Sequence, residues 1–412
     1  MCEDISLHMN EVGINFQYGF KRHGLLLDVI LTSFLILCVF DPANIILTGK
    51  TWVFITLFLY SFFLSRIYYQ IPKIIFLYVA FFVGIPLFSI AIYFTYGGSP
   101  QFEGFNLLKG YLLITLSIIL IRLRVNILPR LCLILSLMGL LVIIVTIAFD
   151  LYPESQLIIR ELGKKTGTLV YDERNYGNDL VIEQMYFVTS PMLLISMAYY
   201  FLRLKLNSES LIVRIKTGLM VLINILALFA GGTRANILST LILLITLWTI
   251  TSNDKRRDYS ILAIVLLTSS TYFINDLVTF FDVSEYSNNI KLDLVSDYFR
   301  IMSDLKTFFL GQGLGSTTYW SARGYEFYTS ELTYLEIFRN FGFPGGIVIL
   351  SLLSFPLYKY LQKKDIIYRG LGSAYLVFLI LCFFNPNLFN SMGVTIISMM
   401  LANLYIPRGH IL

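Results

Sequence analysis

Twelve apolar stretches run through this chain, and each must find surroundings that accept long runs of hydrocarbon. They fall near residues 24–40, 51–65, 74–94, 107–121, 131–149, 186–202, 214–232, 235–251, 259–277, 343–358, 369–384 and 391–406. A helix needs about 20 residues to cross roughly 30 Å of hydrocarbon, and these runs reach or approach that length. Only 14% of the 412 residues are charged while 57% are hydrophobic, against about 25% charged in soluble domains. There is too little polar surface to face water. Inside lipid every backbone group must be paired within the protein, which leaves helices as the spanning form for such runs. The expected fold is an all-α polytopic membrane protein, with residues 1–412 as a single membrane-embedded domain. Lys21-Arg22-His23 precede the first run without a small-residue cleavage site after it, so that run reads as a retained span.

Orientation follows from the connections, because Lys and Arg accumulate on the cytoplasmic side. With the N-terminus inside, inner segments carry 19 Lys and Arg residues, among them Lys21, Arg130, Arg203, Arg257 and Lys364. Short outer connections carry only Lys50, Lys109 and Arg234. Both termini should therefore be cytoplasmic. Two long outer loops remain, residues 150–185 and 278–342, and long loops in compact folds tend to carry function. Cys2, Cys38, Cys132 and Cys382 fit neither a disulfide nor a CxxC metal pattern. The positive charge follows topology and does not suggest a nucleic-acid surface.

In the second loop, Leu292, Val295, Phe299, Met302 and Phe309 form a helical stripe, expected to lie against the bundle or in the interface. Asp293, Asp297, Arg300 and Asp304 recur on another face, where Arg300 has carboxylates at i−3 and i+4. Gly311-Gln312-Gly313-Leu314-Gly315 follows. It reads either as a helix C-cap or as a backbone nest in which Gly313 and Gly315 expose N–H groups to an anion.

The order GQGLGS, a polar insert, then ELTYL and GFPG resembles the signature of bacterial O-antigen polymerases and ligases. Tyr334 and Leu335 match that family's aromatic-Leu step, and Gly342 and Gly345 its closing glycines. Gly231-Gly232-Thr233-Arg234-Ala235 is similar to the family's small-residue turn carrying an arginine. Where ligases have a His, this chain has Glu331, and its three histidines, His8, His23 and His410, fall in inner segments. The polymerase side of the resemblance is therefore favoured over the ligase. A flippase for lipid-linked oligosaccharides should line its spans with charge, which these spans lack.

The resemblance implies a lipopolysaccharide-type polysaccharide polymerase of the bacterial inner membrane, with its site facing the periplasm. Its substrates would be undecaprenyl-diphosphate-linked oligosaccharide repeat units, with a chain-length regulator membrane protein as a partner. Breaking a glycosyl–diphosphate bond calls for cations at the leaving group and a base at the acceptor hydroxyl. The outer segments hold no D-x-D pair and no His, so neither metal nor cofactor is expected and arginine should neutralise the phosphates. Arg234 is the first choice for that role, with Arg300, Arg323 and Arg339 as further phosphate contacts. Gly313, Gly315 and Tyr334 complete the expected binding set. Glu331 is the candidate base; its alternative role is a favourable charge in the first turn of a helix capped by Ser330. Asp41, before Pro42, is a rival base that could equally be a helix terminator.

The topology is directly checkable. Cytoplasmic reporters fused after Arg257 or Lys364 should be active, and those near Glu161 or Ser321 should behave as periplasmic. A periplasmic signal after Arg257 would overturn the map.

Overall fold

A computed structural model describes residues 18–42, 49–64, 70–95, 102–152, 154–166, 168–175, 181–206, 210–231, 233–252, 286–321, 323–383 and 386–406. The expected ninth span, 259–277, lies outside the described residues. In chain order the helices are α1 (Tyr18–Phe40), α2 (Gly49–Leu59), α3 (Lys73–Thr95), α4 (Phe102–Leu112), α5 (Leu116–Leu123), α6 (Leu128–Leu151) and α7 (Ser155–Thr166). After the hairpin β1 (Leu169–Asn175) and β2 (Val181–Phe187) come α8 (Leu193–Leu206), α9 (Leu211–Ala230), α10 (Arg234–Thr251), α11 (Tyr286–Met302) and α12 (Leu305–Leu310). A second hairpin, β3 (Thr318–Trp320) and β4 (Tyr325–Phe327), precedes α13 (Thr333–Gln362), α14 (Ile366–Leu381) and α15 (Ser391–Asn403).

Among the described residues, five segments are long and apolar enough to cross a membrane: Lys73–Thr95, Glu103–Leu123, Leu128–Phe149, Leu211–Ala230 and Thr333–Gln362. Shorter apolar helices cover Leu25–Phe40, Gly49–Phe63, Ala235–Thr251, Ile366–Leu381 and Ser391–Asn403. The pattern of burial is that of a membrane-embedded bundle. α3 buries Tyr78, Phe82 and Ile90 while leaving Phe81 and Phe88 exposed, an apolar outer face that water would not tolerate at this extent. At the centre, α15 is buried along its whole length, as is α8 from Leu193 to Leu202. Around them α9 packs on α8 and α6, α10 on α14, and α13 on both α14 and α3.

One set of interior polar groups is joined across three helices. Asn224 donates to Ser136 Oγ at 2.9 Å, Ser136 and Ser196 hydroxyls meet at 3.0 Å, and Ser196 donates to the Cys132 carbonyl at 2.9 Å. This knits α9, α6 and α8 where apolar contact alone gives no net drive to associate. Asp28 in α1 pairs with Arg130 in α6 at 2.5 Å.

Three expectations change. The sixth span does not begin at 186, because residues up to Phe187 belong to β2 and the helix starts only at Leu193. The stretch 107–121 is not one regular helix, since a 3-10 turn at Leu113–Thr115 separates α4 from α5. Both long loops carry an antiparallel hairpin besides their helices, with Leu169 opposite Phe187 in the first and Trp320 opposite Tyr325 in the second. The end of the second loop is already helical from Thr333, and the helix breaks at Gly342, where φ is 68° and ψ is 173°. Gly342 allows that left-handed break, and Pro344 suits the first turn of the resumed helix.

Candidate functional site

The second loop folds around a small core of its own. Leu294 and Tyr298 from α11, Trp320 from β3 and Leu332 pack together, with Leu335 and Phe383 against them. The Trp320 ring lies 5.0 Å from that of Tyr298 and its Nε1 donates to the Phe327 carbonyl at 3.3 Å. Of the expected apolar stripe, Leu292 and Phe299 are exposed, Phe299 to 72%, while Val295 packs against this core. The buried face instead carries Leu294, Asp297 and Tyr298.

Beneath this core sits Arg339, which is 0% exposed. Its Nε donates to both Glu336 carboxylate oxygens at 3.2 and 3.1 Å, and Nη2 makes a further contact to Oε1. Nη1 meets Gln312 Oε1 at 3.0 Å, Ser316 Oγ at 2.9 Å and Thr318 Oγ1 at 3.1 Å, while Nη2 reaches the Tyr328 carbonyl at 2.8 Å. Glu336 also accepts from Tyr298 Oη at 2.6 Å and from Asn340 Nδ2 at 3.2 Å. Burial and the neighbouring Glu336 carboxylate push the Tyr298 phenol up from its ordinary pKa, so it remains a donor to that carboxylate. The expected phosphate contact Arg339 is thus committed to holding α13, the glycine segment and the hairpin together.

The glycine run is packed to the same end. Gly311, Gly313 and Gly315 all have positive φ (76°, 93° and 89°), which other residues rarely adopt. The N–H of Gly311 closes α12 on the Thr307 carbonyl at 2.8 Å, and that of Gln312 bonds the Arg339 carbonyl at 2.7 Å. Leu314 N–H donates to Ser89 Oγ at 2.8 Å, and Ser89 donates to the Asn340 carbonyl at 2.5 Å. A Cβ on Gly313 would lie 2.5 Å from that of Tyr93, and one on Gly315 would lie 2.6 Å from Gly104 Cα. Gly313 and Gly315 are therefore seated against α3 and α4, and the C-cap reading describes Gly311.

The other candidates lie on the outside of this assembly. Arg323, Glu331 and Tyr325 meet around the β3–β4 turn: Arg323 Nη2 contacts Glu331 Oε1 and Nη1 donates to Tyr325 Oη at 3.2 Å. Burial opposes the charge, but the Tyr325 hydroxyl and the Glu331 carboxylate together hold the Arg323 pKa above its ordinary value. Arg300 bonds Asp297 Oδ1 at 2.9 Å, and Asp297 accepts from Ser321 N–H at 2.8 Å and Ser321 Oγ at 2.7 Å. This places Arg300 beside the strand end that presents Arg323. Both remain accessible, with side-chain exposures of 62% and 31%, and Glu331 of 41%.

Two expected pairings differ. Asp304 does not flank Arg300 on one helix: α11 ends at Met302, and Asp304 caps α12 through Thr307 N–H at 2.9 Å, which lowers its pKa. Ser330 does not cap a helix over Glu331 either. The helix starts at Thr333 with Leu332 as its N-cap, and Ser330 Oγ meets the Tyr298 hydroxyl.

Tyr334 is tied to the bundle, donating to the Leu379 carbonyl at 2.6 Å. Asp41 is buried at the end of α1 beside Lys50, whose Nζ donates to the Asp41 and Pro42 carbonyls at 2.6 and 3.0 Å and to Ser391 Oγ at 3.0 Å. Arg234 opens α10 after the N-cap Thr233; its side chain lies outside the described residues. Among the described residues no three His, Cys, Asp or Glu converge as metal ligands. Glu336 escaped the sequence reading, although an acid and an arginine at i,i+3 opening an apolar helix is the signal of a buried pair. No known protein family matches the chain, and no curated protein matches it.

Removing one partner of a buried ion pair typically costs about 3–5 kcal/mol, whereas an exposed pair contributes about 0–1 kcal/mol. Arg339→Ala should therefore lower the melting temperature of the purified protein markedly, and Arg323→Ala should leave it nearly unchanged. Equal shifts would contradict the division between supporting and exposed arginines.

Proposed function

We propose that the chain is a bacterial inner-membrane polysaccharide polymerase with twelve spans, both termini in the cytoplasm and the second long loop in the periplasm. It transfers the growing glycan from undecaprenyl diphosphate onto the next lipid-linked repeat unit. The observation that supports this reading is the exposed pair of Arg323 and Glu331, with the accessible Arg300 bound to Asp297, which also holds Ser321 at the hairpin turn. An accessible guanidinium beside a carboxylate suits a reaction with an anionic leaving group and a hydroxyl nucleophile. The motif resemblance of the same loop supports it from the sequence side.

In this mechanism the donor diphosphate displaces Glu331 from Arg323, because a guanidinium binds phosphate oxygens in a two-pronged fashion. Glu331 is then free to accept the proton of the acceptor sugar hydroxyl as its oxygen forms a bond to the anomeric carbon. The bond between that carbon and the diphosphate breaks, and Arg323 and Arg300 neutralise the charge that remains on the carrier. Arg234 is a further cation for the diphosphate. Arg339 and Glu336 touch no substrate and hold the loop. The reaction uses no metal or cofactor, since the acid, base and cations all come from side chains. A chain-length regulator membrane protein is the expected partner, and nucleic acid is not.

The test is the glycolipid ladder of a deletion strain carrying variants at matched membrane levels. Loss of a charge-assisted contact that strengthens in the transition state costs roughly 10²–10³ in rate. Arg323→Ala and Glu331→Gln should stop products at a single repeat, and Arg323→Lys should restore little. Purified protein should keep polymerising in excess EDTA. Full-length chains from both variants, or chelator-sensitive synthesis restored by magnesium, would contradict the proposal.

A further inference from the structure

Among the described residues, α8, α9 and α10 leave an apolar groove between them. Phe201, Leu204, Gly218, Val221, Leu244 and Trp248 line a cavity of about 360 Å³, within the roughly 300–1,000 Å³ typical of ligand sites. Every residue along it is apolar or glycine, so water inside would lack the hydrogen-bond partners it needs. Gly218 shapes the space. Glycine within a helix is unfavourable by about 1 kcal/mol relative to alanine, and at Gly370 and Gly139 a tight neighbour explains it, whereas Gly84 in α3 and Gly218 are open. A Cβ on Gly370 would come within 2.8 Å of Leu202, and one on Gly139 would lie 3.1 Å from Ala227. At Gly218 a Cβ would meet nothing within 4 Å. What its missing side chain leaves open is the groove.

One end of the groove is cationic. Lys205 Nζ sits 4.6 Å above the Trp248 ring, an apolar wall joined directly to a positive rim. Leu204 lies between Arg203 and Lys205, and Arg214 precedes Gly218 by about one helical turn, on the same face of α9. Lys205 and Arg214 are exposed. An apolar groove ending in cations matches a molecule with an apolar chain and an anionic head, and basic pockets between membrane helices take anionic lipids on these grounds. We propose that the groove holds an acyl chain of an anionic membrane phospholipid, with its phosphate-bearing head against Lys205 and Arg214. The proposal rests on the membrane-embedded fold and is independent of the glycosyl-transfer reading.

The full-length protein is reconstituted in nanodiscs of phosphatidylethanolamine and phosphatidylglycerol in equal parts, extracted in mild detergent, and weighed with its retained lipid by native mass spectrometry. Wild-type protein should keep phosphatidylglycerol in preference to phosphatidylethanolamine. Gly218→Leu puts a side chain into the groove, where its Cβ meets nothing within 4 Å, and should reduce total retention about tenfold at unchanged melting temperature. The double variant Lys205→Gln, Arg214→Gln should keep a lipid but lose the preference for phosphatidylglycerol. Equal retention by wild type and Gly218→Leu would overturn the proposal, as would wild-type protein without a headgroup preference. Efficient disulfide formation between Gly218→Cys and Val265→Cys would also overturn it, because the chain's own residues 259–277 would then occupy the groove. Absence of that disulfide is the expected result.

Discussion

The guanidinium of Arg339 lies fully buried with its hydrogen-bonding directions taken by Glu336, Gln312, Ser316, Thr318 and the Tyr328 carbonyl, and the second long loop depends on it. A cation taken out of water must recover its lost solvation from the protein, and does so only when its N–H groups are matched by acceptors. Those acceptors come from three separate pieces of chain: the first turn of α13, the glycine segment and the hairpin. None of the three can move without leaving charge unpaired in the interior. Tyr298 extends the same network into α11 through Glu336. One ion pair thereby makes a loop of mixed short elements behave as a single body.

The body is then fastened to the membrane bundle by close backbone approach. Gly315 lies against Gly104 of α4 and Gly313 against Tyr93 of α3, while Ser89 bridges the Leu314 N–H and the Asn340 carbonyl. These contacts leave Arg323 and Glu331 as a surface pair, while Arg300 reaches from the surface to the buried Asp297. Exposed ion pairs such as Arg323–Glu331 contribute little to stability and can therefore exchange partners. The loop thus divides its charges by burial, with the deep pair of Arg339 and Glu336 giving shape and the pair of Arg323 and Glu331 lying at the surface.

The bundle was legible because its signal is long and redundant. Helices such as α3 and α6 follow from many apolar residues in succession, and no tertiary contact could turn them into another structure inside lipid. The break at Gly342-Phe343-Pro344 has a local cause, since glycine and proline act through the backbone. The hairpins were not legible: β3 and β4 are three residues each and owe their pairing to Trp320 being buried against Tyr298. The start of α8 was missed because Tyr186 and Phe187 are as apolar as a span yet lie in a strand. Arg339 illustrates the same gap at the site. Sequence identifies an arginine in a long loop, but whether its charge faces the surface or a buried Glu336 depends on where α11 and the hairpin come to rest.

The most direct test of the claim that this pair organises the loop is amide hydrogen exchange on the full-length protein in detergent. Glu336→Gln keeps the size of the side chain and removes its charge. Slow exchange at residues 311–328 in the wild type should become fast in the variant, while α3 and α15 keep their protection. Unchanged protection at 311–328 would show that the loop is held by its apolar core alone, and would contradict the account.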